Sequence, residues 1–231
     1  MNIFSQNAKM KSTSSKNDID LYNFGIPAFQ SKTGLKTCPN AGVCASGCYA
    51  RSGAYILSNV SQAYETRLEL TQSDTFVERI GIELEKLLSR ARKNNRRVVI
   101  RVHDSGDFYS PKYQLSWYYI AKAFPEVLFY AYTKQVAQSV ALSSKQPLNF
   151  TLIYSRGGKQ DHLIQNTDRH STVFQSESEL IAAGYSNASK DDLVAISNNP
   201  KIGLVYHGTK NYTNTSWSKS IQDTNQGAKN V

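Results

Sequence analysis

Three cysteines, Cys38, Cys44 and Cys48, stand together in the stretch TCPNAGVCASGCYA, and the chain has no others. An odd number of thiols cannot pair off, and so tight a grouping points to shared coordination rather than to a disulfide framework. Thiolate is a soft ligand that suits iron–sulfur clusters and zinc. The spacing, C-x5-C-x3-C, departs from the C-x2–4-C pairs usual in zinc sites, which also need a fourth protein ligand. His103, His162, His170 and His207 are available for that role, and His207, closing the last expected strand, is the best placed. A cubane [4Fe–4S] cluster asks instead for three thiolates on a wrapping loop and leaves one iron to a non-cysteine ligand. Gly42 and Gly47 give the backbone freedom for wrapping, and Pro39 stiffens the start of the loop. The leading expectation is therefore an iron–sulfur cluster, with zinc and unligated thiols as the alternatives.

A second group of chemically able residues is His103-Asp104-Ser105-Gly106-Asp107. Asp104 and Asp107 could set a carboxylate against a ligand's amino group, or simply shape a turn, since Asp, Ser and Gly are common turn residues. His103 could ligate a metal or move a proton, although a hydrogen-bonded structural histidine is the commoner case. Lys134 and Arg156 each follow a further expected strand and could hold a carboxylate or phosphate. Gly157-Gly158 would let backbone amides approach an anion, or form an ordinary turn. The aromatic run Phe108, Tyr109, Tyr113, Trp117, Tyr118 and Tyr119 lies largely on an expected helix and reads as core and rim packing rather than base stacking. The GxSxG, P-loop and GxGxxG signatures are absent, which argues against ordinary hydrolase, kinase and dinucleotide chemistry.

The elements that must position these groups alternate in period. Thr75 and Glu78 have capping-box spacing ahead of a helix to about Lys93, whose apolar positions Phe76, Ile80, Leu84, Leu87, Leu88 and Ala91 recur at helical intervals. The β-branched run Arg97–His103 reads as a strand, Tyr113–Phe124 as a helix stopped by Pro125, and Val127–Tyr132 as a second strand. Gln135–Ser143 is a short helix, Phe150–Tyr154 a third strand, Thr172–Phe174 a short fourth, Glu177–Ala183 a helix, and Ile202–His207 a last strand. Repeated strand–helix–strand order implies parallel β/α units, in which loops at the strands' carboxyl ends build the site. The fold class expected is α/β, a partial parallel β/α barrel over residues 19–210, between a polar N-terminal tail (1–18) and a polar C-terminal tail (211–231), both flexible.

The chain of 231 residues carries a formal net charge of +9, with 40% hydrophobic and 19% charged residues, enough to build a core. No apolar run is long enough to span a bilayer, and the polar N-terminus lacks a signal peptide's apolar centre, so a soluble, cytoplasmic protein is expected, without a membrane partner. The positive charge allows a nucleic-acid partner, but the densest basic run, Arg90, Arg92, Lys93, Arg96 and Arg97, ends a helix, where cations favour the macrodipole. Oligomeric state is left open.

The stretch TCPNAGVCASGCYARSGAY followed by V-x3-Y-x3-L-x-L, with RVHDSGDFYSPKYQLSWYYIAKAFPEVLFYAYTK and IGLVYHGTK, resembles an uncharacterised phage family labelled by its gene-product number, eighty-eight. That resemblance places the protein in the cytoplasm of an infected host cell. More remotely, the arrangement is similar to radical S-adenosylmethionine (SAM) enzymes. This second resemblance implies Cys38, Cys44 and Cys48 as cluster ligands, Tyr49 as the aromatic residue beside the last cysteine, and Ser105-Gly106-Asp107 as the turn meeting the amino group of SAM. It departs from that family in both cysteine gaps and in having Asp107 for the usual glutamate. Three functions follow as alternatives: a radical SAM enzyme of unknown substrate, a non-catalytic cluster protein, and a zinc-stabilised nucleic-acid binder.

Overall fold

A computed structural model describes residues 3–206. In chain order these form α1 (Ala8–Lys16), β1 (Ile19–Phe24), α2 (Ser58–Gln72), α3 (Phe76–Lys93), β2 (Arg97–Val102), α4 (Pro111–Ala123), β3 (Leu128–Thr133), α5 (Val136–Ala141), β4 (Phe150–Ser155), β5 (His170–Phe174), α6 (Glu177–Ala182), β6 (Ser186–Asn187), α7 (Leu193–Ile196) and β7 (Lys201–Val205). Seven strands make one sheet in the order β1-β2-β3-β4-β5-β7-β6. Every strand pair is parallel, and the sheet curls into a half-barrel, as the sequence led us to expect. His207, the best-placed fourth ligand, lies outside the described residues.

Alternation along the strands sends side chains to two different layers. On the outer face, Ile100, Phe129 and Phe150 are level in register. They pack with Phe76, Ile80, Leu84 and Leu88 of α3 and with Tyr113, Trp117 and Ile120 of α4. Ser110 caps α4 by accepting from the Tyr113 amide at 3.2 Å, with Pro111 in the first turn. Phe108, Trp117 and Tyr118 are buried, as expected of core packing, whereas Tyr119 faces solvent. On the inner face, Leu21, Val99, Tyr130, Ile153 and Ile202 form a second cluster with Met10, Ala188 and Ala195.

The N-terminal stretch expected to be a flexible tail is thus partly built into the fold. Asn7 caps α1 by accepting from the Met10 amide, and Met10 is fully buried. Lys9 and Arg101 both approach Asp192, at 3.0 and 3.7 Å, which joins α1, β2 and the start of α7 through one buried carboxylate. The polar composition hid this helix because only one large apolar side chain docks it. The basic run at the end of α3 is also more than a solvated face. Arg96 binds Asp20 at 2.7 Å and the carbonyls of Ser14 and Ile19, and Arg92 binds Glu126 at 2.7 Å. The capping-box spacing is not used, since Thr75 makes no side-chain cap bond and its hydroxyl meets Ser73 instead. Among the described residues, no helix is long and apolar enough to cross a membrane.

His103 follows β2 with φ +71°, an uncommon conformation for a side chain with a Cβ. Its Nε2 lies 2.9 Å from the Tyr113 hydroxyl, and its ring packs on Phe108 at 4.7 Å. Burial, helped by the charge of Arg101, lowers its pKa to about 3. The ring is therefore neutral and serves as a piece of the aromatic core.

Two outcomes are expected. Met10→Ala should cost about 2–5 kcal/mol in a urea titration, the range for emptying a packed site; a cost near zero would mean that α1 is not docked. Below pH 6.5 the unfolded chain takes up a proton that native His103 refuses until about pH 3. Stability should therefore fall with acid by up to ~1.4 kcal/mol per pH unit on this account. His103→Asn should remove that component, measured as the difference in pH slope between the two proteins.

Candidate functional site

The site gathers at the carboxyl ends of β1 to β4, where the strand exits must approach closely. Leaving β1, Gly25 packs so near Asp104 that a Cβ there would come within 2.1 Å of Oδ1. The Ile26 amide donates to the Ser105 carbonyl at 3.1 Å, tying the β1 exit to the β2 exit. Gly106 has φ +83°, and a Cβ there would strike Ile26, so the turn after β2 requires glycine.

Asp107 is the joint of the whole region. Its Oδ1 accepts from its neighbour's amide, Phe108, at 2.8 Å and from the Thr133 hydroxyl at 2.6 Å; its Oδ2 accepts from the Lys134 amide at 2.9 Å. Its own amide donates to the Thr37 carbonyl at 3.1 Å. Burial raises its pKa, against the pull of those hydrogen bonds and of Lys134. The carboxylate expected to meet an amino group of SAM is thus committed to the exits of β2 and β3.

The cysteine segment lies across these exits as irregular chain and short 3₁₀ turns at Val43–Ala45, Tyr49–Arg51 and Gly53–Ile56. The Cys44 amide donates to the Gly157 carbonyl at 3.3 Å, and Lys159 donates to the Asn40 carbonyl at 3.0 Å. Gly42 sits so close to the β4 exit that a Cβ would meet the Gly157 oxygen at 2.8 Å. Gly157 and Gly158 do cradle an anion with their amides, at 2.7 and 2.9 Å, but it is the chain's own Asp161. Lys134 likewise turns inward, its Nζ donating to the Ser155 hydroxyl at 2.7 Å and to the Arg156 carbonyl at 3.3 Å. Arg156 is half-buried near His170.

All three cysteines are unpaired and half-buried. The Cys38 sulfur accepts from the Phe29 amide at 3.3 Å. Burial, the Asp107 charge and the other two thiols push its pKa up to about 12, partly opposed by that hydrogen bond. Burial also raises Cys48, with Cys44 adding to the shift and Lys134 and Arg51 opposing it. The charge of Asp107 acts on Cys38, and those of Lys134 and Arg51 act on Cys48. Among the described residues, no group of three or more His, Cys, Asp or Glu side chains could hold a metal ion. The three described histidines among those named as a fourth ligand form no such group with the cysteines. His103 is in the aromatic core, both nitrogens of His170 are engaged by the Asp168 carbonyl and Tyr185, and His162 is exposed on a 3₁₀ turn.

Tyr49 and Asp104 belong to a tyrosine cluster. Asp104 accepts from Tyr64 at 2.9 Å and from Tyr55 at 3.3 Å through Oδ2, and its carbonyl accepts from Tyr49. Burial and the Asp104 charge raise the pKa of Tyr55 and Tyr64, so both remain donors. Beside the cluster opens a cleft of about 340 Å³, lined by the β1 exit, the turns after Cys48, α2 and Ser105. Tyr55, Tyr64 and Glu65, which line it, escaped the sequence reading. A signal existed for Tyr64, because V-x3-Y-x3-L-x-L places Tyr64 and Leu68 on one helical face.

Comparison with known proteins places this sequence in a family. The model of a family described as Gene product 88 matches residues 1–225. The Gene 88 protein of Mycobacterium phage L5 is 28% identical over 137 residues, which are 58% of this chain and 56% of that protein. The Gene 88 protein of Mycobacterium phage D29 is 27% identical over 137 residues, 58% of this chain and 55% of the relative. The chain thus spans just over half the length of these curated relatives. No solved structure matches, and neither finding supports the similarity to radical SAM enzymes. The chain belongs to the Gene product 88 family.

Proposed function

We propose that Cys38, Cys44 and Cys48 hold an iron–sulfur cluster at the open end of the half-barrel. The observation that carries this reading is the placement of the three thiols: all are unpaired and half-buried on one segment lying across the strand exits, and the Cys38 sulfur accepts the Phe29 N–H at 3.3 Å. Hydrogen bonds to cluster sulfurs and burial are the protein's means of tuning such a centre. A single zinc ion, at about 2.3 Å from each sulfur, would draw the thiols to within roughly 4 Å of one another. The described residues offer no such single-ion group. The C-x5-C-x3-C spacing also departs from the C-x2–4-C pairs usual at zinc. Zinc as the anchor of a nucleic-acid binder is disfavoured on the same ground, and Arg96 of the basic run is held by Asp20 within the fold.

The cluster would supply one-electron chemistry. This chain's own residues set its surroundings: Lys134 and Arg51 offset negative charge near Cys48, and the Phe29 amide supports the Cys38 thiolate. With its pKa near 12, Cys38 gives up a proton when metal binds, so loading favours higher pH. SAM is not part of the proposal, because Asp107 is bonded within the fold.

Anaerobically prepared protein should contain iron and acid-labile sulfide in equal amounts, about four of each for a cubane, with little zinc. Cys38→Ala and Cys48→Ala should each lose most of both while keeping the circular-dichroism spectrum of the fold. Stoichiometric zinc without sulfide, or iron retained unchanged in both variants, would overturn the reading.

A further inference from the structure

The cleft beside the tyrosine cluster has a charge arrangement that the cysteines do not explain. At its floor Glu65 is only 8% exposed, and its one described partner is the Lys32 main-chain amide on Oε1, at 2.9 Å. Among the described residues no cation pairs with this carboxylate. A buried carboxylate without a counter-charge is costly, and a bound cationic group would remove that cost. At the rim, the side chains of Lys32 and Arg51 are exposed and lie on the same cleft. Arg51 is held in place by the Phe29 ring, 5.3 Å from its guanidinium, and by its bond to the Ala45 carbonyl at 3.1 Å. Tyr55, Tyr64 and Ser105 also line the cleft.

We propose that this cleft binds a small zwitterion of α-amino-acid type, its ammonium group on Glu65, its carboxylate at Arg51 and Lys32, and its side chain against Tyr55 and Tyr64. The volume, about 340 Å³, is within the range of small-molecule sites. A negative floor and a positive rim select a molecule carrying both charges and disfavour a simple amine or a simple acid, each of which leaves one end unmatched. The lining contains no cysteine; Arg51 is shared with the surroundings of the proposed cluster, whereas Glu65, Tyr55 and Tyr64 belong to the cleft alone.

L-phenylalanine is a suitable probe, titrated into ¹⁵N-labelled full-length protein and followed by NMR. Its two truncated analogues are hydrocinnamate, which lacks the amine, and phenylalaninamide, which lacks the carboxylate. Saturable shifts at Tyr55, Tyr64 and Glu65 are expected with the amino acid, and binding about tenfold weaker with either analogue, the loss of one charge-assisted contact. Glu65→Gln, which keeps an acceptor for the Lys32 amide, should weaken L-phenylalanine about tenfold. Arg51→Gln, at the exposed rim, should weaken L-phenylalanine and leave phenylalaninamide unchanged. No saturable shift with L-phenylalanine, equal binding of hydrocinnamate, or unaltered affinity in both variants would overturn the proposal. Because these shifts do not depend on iron, failure here leaves the cluster reading standing, and failure of the cluster leaves this one standing.

Discussion

The carboxylate of Asp107 is the constraint on which the site depends. Buried at the exit of β2, it would carry a penalty of several kcal/mol if left without partners. It finds them in the Phe108 amide, the Thr133 hydroxyl and the Lys134 amide, while its own amide reaches Thr37. Those bonds fix where β3 ends and where the chain enters the cysteine segment one residue before Cys38. Because Lys134 is held at its amide by Asp107, its side chain reaches Ser155 and links the β4 exit to the same frame. The ends of β2 and β3 are thereby joined by one side chain, the cysteine segment by the same residue's main-chain amide, and β4 through Lys134.

The cysteine segment can lie against that frame only because side chains are missing where backbones meet. Gly42 rests on Gly157 and Gly158, and Gly25 rests on Asp104, each at a distance that no Cβ would tolerate. Close contact of loop and strand exits half-buries all three thiols, with the charge of Asp107 acting on Cys38 and those of Lys134 and Arg51 on Cys48. The graded environment matters for any metal centre, since thiolates differ in how readily they form and in how strongly their charge is offset. The tyrosine cluster on Asp104 supports the other side of the segment through Tyr49, the residue that follows the last cysteine.

Much of this was legible in the sequence where a pattern is local. The apolar repeat of α3, the β-branched run of β2 and the alternation of strands and helices led directly to a partial parallel barrel. What was hidden depends on contacts between distant residues. Strand β1, IDLYNF, has polar residues between its apolar ones and is recognisable only once β2 pairs with it. Helix α1 reads as a polar tail because its docking rests on Met10 and on the ion pair of Lys9 with a residue far along the chain, Asp192. Among site residues, the cysteines announced themselves by spacing. His103 and Asp107 announced themselves by type, and His103 takes the structural role that is the commoner case for a histidine, while the carboxylate of Asp107 is bonded to the exits of β2 and β3. Glu65 gave no signal at all, since an acidic residue on a helix is ordinarily solvated.

The central claim is that the three thiols share one iron–sulfur cluster. Diffraction from anaerobically grown crystals, recorded on either side of the iron absorption edge, tests it most directly. A strong iron-specific peak within bonding distance of the sulfurs of Cys38, Cys44 and Cys48 is predicted, with density for inorganic sulfide between them. The absence of such a peak from crystals of iron-loaded protein, or a peak only at the zinc edge, would contradict it.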